Sequence, residues 1–117
     1  MRDEIYSIYH LSIVPSNFDA FKTLVEQIVE ATSKESDTTT YEYVVNAERT
    51  VVHIVECYRT QGLLPHVEQT FAPFAVRFLE LATIDKLYVY GETTPEIRAK
   101  LDGFGAAYLT PFAGFSR

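Results

Sequence analysis

The stretch from Thr50 to Tyr58, TVVHIVECY, places the tightest limit on what this chain can fold into. It is rich in β-branched and aromatic residues and reads as a strand. A pleat of period two sends Val52, Ile54, Glu56 and Tyr58 one way and Val51, His53, Val55 and Cys57 the other. Both rows are largely apolar. A sheet with one wet face alternates apolar with polar, so this strand needs cover on both sides: helices on one, and on the other something else, such as a second copy of the chain. The strand runs on into a proline-opened amphipathic segment that reaches Phe78. Chemistry is expected near that junction.

The remaining elements follow from periodicity and punctuation. Ile5 to Val14 reads as a first strand, stopped by Pro15. Ser16 or Asn17 then caps a helix whose Phe21, Leu24, Val25, Ile28 and Thr32 recur at three- and four-residue spacing. The polar run Ser33 to Thr38 reads as a surface loop. Thr39 to Val45 and Thr50 to Tyr58 form a hairpin joined by Asn46, Ala47, Glu48 and Arg49. Pro65 suits the first turn of the next helix, whereas Pro73 would fall inside it, so the spacing predicts two segments, Leu63 to Ala72 and Pro73 to Leu81. Asp85 to Tyr90 is a fourth strand ending at Gly91. Thr93, Thr94, Pro95 and Glu96 start a third helix that Gly103 is expected to stop. The tail beyond it spaces Phe104, Tyr108, Phe112 and Phe115 among small residues and is too apolar to stay in water. Two placements are open to it: over the chain's own helices or a sheet edge, or across to a partner or the mouth of a pocket.

This order of elements is an α+β, ferredoxin-like βαββαβ arrangement, a four-stranded antiparallel sheet with its main helices on one face. The expected organisation is a single domain over residues 1–117, with residues 1–91 as the core and 92–117 as an added helix and Phe-rich tail. A chain of 117 residues can bury a sizeable core. With 47% hydrophobic and 22% charged residues it reads as globular. Its apolar runs are far short of the ~20 residues a spanning helix needs, and its N-terminus lacks a signal-peptide layout, so a cytoplasmic location and no membrane partner are expected. A net charge of −6 without a Lys/Arg cluster argues against nucleic acid. Lone Cys57 reads as a structural strand residue. Eight Tyr and eight Phe exceed what one small core needs, which fits an aromatic-lined pocket or a subunit interface.

The hairpin-and-helix segment, YEYVVNAERTVVHIVECYRTQGLLPHVEQTF, resembles that of the antibiotic biosynthesis monooxygenase family in the dimeric α/β barrel superfamily. The shared pattern is a Tyr in the second strand, a Glu followed two residues on by an aromatic in the third, and a His early in the following helix; Tyr41, Glu56, Tyr58 and His66 match it. The likeness spans Ile5 to Tyr90. It implies a homodimer formed through the open sheet face, and a monooxygenase that needs no bound cofactor or metal and acts on a small aromatic or quinol-type molecule. The heme-degrading branch of that family relies on a pocket Trp. This chain has no Trp, which argues against heme breakdown. The alternative is a non-catalytic small-molecule-binding or stress-associated protein that reuses the barrel.

Such an oxidation needs a base, donors for the resulting anion and a dry cavity. Of His10, His53 and His66, the last follows Pro65 at a helix start and matches the family pattern, so it is the first choice for the base; the bland reading is that it binds nearby backbone or the Glu56 carboxylate and fixes the strand-to-helix turn. His53 and His10 read as core or interface residues. Arg77 lies eleven residues beyond His66, near the same face of an unbroken helix, and with Tyr58 completes the catalytic candidates. Tyr41, Tyr43, Glu56, Phe71 and Phe74 are the substrate-binding candidates. Buried Glu56 would need a partner or a shifted pKa. The spacing shows no metal-ligand set, phosphate loop or nucleophile elbow.

Overall fold

The computed structural model describes residues 3–117. Four long strands form its centre: β1 (Glu4–Ile13), β2 (Thr38–Val45), β3 (Val51–Arg59) and β4 (Ala82–Tyr90). Helix α1 (Phe18–Thr32) links β1 to β2, and an interrupted helix links β3 to β4. A fifth strand, β5 (Ala106–Leu109), lies at one edge, giving the order β2-β3-β1-β4-β5. All neighbours are antiparallel except β4 and β5, which are parallel. The ferredoxin-like reading holds, with one correction: the sheet has five strands. The start of the tail supplies the extra one, because β4 would otherwise leave its backbone donors and acceptors unpaired. Beyond it, Phe112 and Phe115 stand exposed.

Side chains alternate as the pleat requires. From β1, Ile5, Tyr9 and Leu11 face the helices; from β3, Val52, Ile54, Glu56 and Tyr58; from β4, Leu87 and Val89. Against them pack Phe21, Val25 and Ile28 of α1, together with Leu63, Phe78 and Leu81. Helix α1 forms because its apolar residues fall on one stripe. Its expected cap does not operate: a short 3₁₀ turn, Pro15–Asn17, precedes it, and the Asn17 side chain makes no capping bond but reaches the Leu81 carbonyl at 3.5 Å.

The second helix departs furthest from regularity. It opens as α2 (Leu63–Pro65), widens into a π-helical stretch (His66–Phe71), tightens into a 3₁₀ turn (Ala72–Phe74) and resumes as α3 (Ala75–Leu81). Pro73 has no N–H to offer, so the expected break is present, and the distortion extends back to His66. After Gly91, Thr94 caps α4 (Pro95–Leu101) by accepting from the Ile97 backbone N–H at 3.2 Å. Ile97 and Leu101 join the main core. The stop falls at Gly105, whose φ of 72° is left-handed, and not at Gly103, which sits inside a 3₁₀ turn.

No described element covers the second face of the sheet. Tyr6, Ile8, His10, His53, Val55 and Tyr88 are half-buried there, and Val44 and Val51 are exposed. The rings of His10 and His53, opposite each other on β1 and β3, stack at 3.9 Å.

Candidate active site

Strand register assembles the site. Tyr41, Glu56 and Ser7 lie side by side across β2, β3 and β1, and Tyr43, Ile54 and Tyr9 form the next row facing the helices. Tyr58 is two residues beyond Glu56 on the same row of β3 and donates its hydroxyl to Glu56 Oε1. The Tyr41 and Tyr43 hydroxyls are 2.8 Å apart. Above this floor His66, buried at the start of the π-helical stretch, packs its ring 5.1 Å from Tyr41 and 5.3 Å from Tyr58. Its Nδ1 lies 3.1 and 3.2 Å from the two oxygens of Glu35.

The carboxylate of Glu35 accepts only, so Nδ1 carries a proton and donates it. In the neutral ring this leaves Nε2 as the basic nitrogen. Glu35 is itself oriented by Thr38, whose hydroxyl donates to Oε1 at 2.5 Å. A small cavity of about 20 Å³ lies between sheet and helix, lined by Tyr9, Ile54, Glu56, His66, Phe71 and Phe104 among others. That is room for a single water molecule.

Electrostatics separates the carboxyl and the imidazole on this cavity. Burial pushes the Glu56 carboxyl up to about 8, offset by the Tyr58 hydrogen bond and reinforced by the nearby Glu35 charge. Burial pushes His66 below its ordinary value, with the Glu35 charge and hydrogen bond acting against it. At pH 7 the site therefore holds a neutral carboxylic acid and a neutral imidazole. Tyr9, Tyr41, Tyr43 and Tyr58 are all raised, chiefly by burial and also by the Glu56 charge, so their hydroxyls remain proton donors. Such an arrangement can deliver a proton from one side of a bound molecule and accept one at another. Among the described residues no group of three or more His, Cys, Asp and Glu could hold a metal ion.

His66, Glu56 and Phe71 line the cavity, Tyr41 and Tyr58 pack against the His66 ring, and Tyr43 is linked to the group through its hydrogen bond to Tyr41. Arg77 is not: it is exposed and bonded to Glu80 at 3.3 Å. The eleven-residue spacing assumed an even α-helix, and the π and 3₁₀ turns between the two residues change the phase. Phe74 packs against the core without lining the cavity. The imagined Glu56 partner for His66 is instead Glu35, in a segment read as surface loop. Nothing periodic marks Glu35. Tyr9, also missed, could have been found as the residue aligned with Ile5 and Leu11 on the inward row of β1.

Comparison with solved structures places this geometry among known folds. MupZ from Pseudomonas fluorescens superposes with a TM-score of 0.89 at 27% identity, over 99% of this chain and 96% of that one. A candidate antibiotic biosynthesis monooxygenase from Nitrosomonas europaea matches at TM-score 0.68 and 18% identity, over 81% of this chain and 95% of that one. SnoaB from Streptomyces nogalater, a cofactor-independent oxygenase, matches at TM-score 0.65 and 10% identity, over 80% and 96%. The chain thus has the fold of the antibiotic biosynthesis monooxygenases, as the resemblance in the hairpin segment implied. No protein-family profile and no curated protein matches its sequence.

Proposed function

We propose that this protein is an enzyme that performs general acid–base chemistry without a bound cofactor, and that its reaction is the oxygenation of a small aromatic or quinol-type molecule by dioxygen. The observation that carries this reading is that Glu56 and His66 face one small, aromatic-lined cavity, where burial raises the carboxyl and lowers the imidazole. A fold shared with a cofactor-independent oxygenase supports it.

In this reading His66 Nε2 takes a proton from an activated ring CH₂ or phenol, and the hydroxyls of Tyr9, which lines the cavity, and Tyr41, which packs on His66, hold the resulting anion. The anion passes one electron to O₂ and the two radicals combine at carbon. Glu56 protonates the outer peroxide oxygen, and loss of water leaves a carbonyl. One oxygen atom enters the product and the other leaves as water, with the substrate supplying the electrons. Substrate entry requires Phe71 and Phe104 to swing aside. We further propose that the protein works as a homodimer whose open sheet faces cover each other, which would remove the half-buried row around Ile8 and Val55 from water.

The closeness of that cavity favours a second reading, in which the site binds a small molecule without converting it. Oxygen uptake with a panel of hydroquinones and anthrones separates them. Uptake by the parent protein that falls at least a hundredfold in His66→Ala and Glu56→Gln supports the oxygenase. Equal uptake in the parent and both variants removes these residues from the mechanism. Consumption of substrate without oxygen would make the same acid–base pair the agent of a redox-neutral reaction, and binding without turnover would leave the second reading.

A further inference from the structure

A larger depression lies away from the buried cavity, between the first half of α1 and the β2–β3 hairpin. Its volume is about 420 Å³, within the range of sites that hold small organic ligands. The walls are apolar, with Phe18, Phe21 and Val25 on the helix side and Tyr43, Val45 and Val52 on the sheet side. Two cations, Arg49 and Lys22, also line it, with the single carboxylate of Glu26 one turn along α1 from Lys22. Among the described residues neither cation lies within ion-pair distance of a carboxylate. In a chain of net charge −6, two unpaired cations on one apolar groove stand out.

Arg49 is held there by backbone geometry that a side chain normally avoids. Its φ is 59°, in the left-handed region, and it is the only non-glycine residue there among those described. Hairpin loops that need this conformation ordinarily use Gly at the position. The loop around it is clamped: Arg49 N–H donates to the Asn46 carbonyl at 3.1 Å, and Asn46 Oδ1 accepts from the backbone N–H groups of Thr50 and Val51 at 2.9 and 3.0 Å. The guanidinium then lies over the Phe18 ring, 4.4 Å from its centroid. Strain of this kind, kept in place by its surroundings, is a signature of a side chain required at that point.

We infer that this groove binds an amphipathic carboxylate, its apolar body along the α1 and β2 walls and its anion on Arg49 with Lys22 alongside. Arginine offers a planar fork that matches a carboxylate, and the Phe18 ring beneath pre-orients it. The inference stands apart from the catalytic reading, since it concerns equilibrium binding and would survive failure of every turnover assay.

The test is calorimetric titration with decanoate, decanol and decylamine, on the parent protein, Arg49→Gly and Arg49→Lys, with backbone-amide NMR shifts to locate the ligand. Decanoate should bind the parent at least tenfold more tightly than decanol, with shifts centred on Phe18, Val45 and Arg49. Arg49→Gly should reduce decanoate to the level of decanol while leaving Tm unchanged or higher, because glycine relieves the left-handed strain; Arg49→Lys should keep part of the preference. Equal affinity for decanol or decylamine would overturn the inference, as would a decanoate preference that survives Arg49→Gly. So would a fall in Tm in Arg49→Gly with decanoate affinity unchanged, which would assign Arg49 to the hairpin alone. Shifts centred on His66 and Phe104, or decanoate binding lost as protein concentration rises because a second copy fills the groove, would overturn it equally.

Discussion

Glu56 is the residue on which the site turns, because burial of its carboxyl, with one tyrosine donor beside it, favours the protonated form. Its folded pKa of about 8 stands above the unfolded value, so the folded chain binds more protons across that interval. The stability this group contributes is therefore fully present below its ordinary value of 4.5 and is lost as pH rises from there through about 8, by a few kcal/mol in all, on the order of 1.4 kcal/mol per pKa unit. Urea denaturation at pH 5, 7 and 9 should show that decline in the parent, and Glu56→Gln should flatten it. His66 acts with the opposite sign: its lowered folded pKa means stability is lost as pH falls below the ordinary histidine value. Since the Glu35 charge holds the His66 pKa up, Glu35→Gln should move the acid limb of the pH–rate profile to lower pH. The resemblance to the family's hairpin pattern singled out Tyr41, Glu56 and Tyr58 in the sequence, and the period of two put Glu56 and Tyr58 on one row of β3. Glu35 was hidden because its role depends on a contact across 31 residues that no local pattern records.

At the scale of elements, capping and backbone geometry were readable where they are local. Thr94 was expected as a helix start and does accept from Ile97 N–H, so Thr94→Ala should cost about 1 kcal/mol in chemical denaturation without touching the site. Pro73 likewise announced a break. What the chain did not disclose was how the break would be absorbed. The slack runs back through His66–Phe71 as a π-helical stretch, which rotates Arg77 outward and leaves Phe71 facing Phe78 at 5.1 Å. Truncation at that contact offers a check: Phe78→Ala, fully buried, should destabilise by about 3–5 kcal/mol, whereas half-buried Phe74→Ala should cost clearly less.

At the scale of the molecule, the open sheet face predicts association. Sedimentation at micromolar concentration should give a dimer, and Val55→Lys, which puts an ammonium into the centre of that face, should give a folded monomer. A monomeric parent protein would leave Ile8, Val55 and Tyr88 without cover and refute the arrangement. Among the described residues no helix is long and apolar enough to cross a membrane. The sequence by itself determined the strands, their inward and outward rows and the βαββαβ order, because these depend on periods of two and about 3.6 residues that are written along the chain. Only the tertiary structure decided the fifth strand, the Glu35–His66 pair, the exclusion of Arg77 and the small size of the cavity between sheet and helix. Each of those is a matter of how separate elements meet, fixed by packing and by where unpaired backbone groups find partners, and neither leaves a periodic trace in sequence.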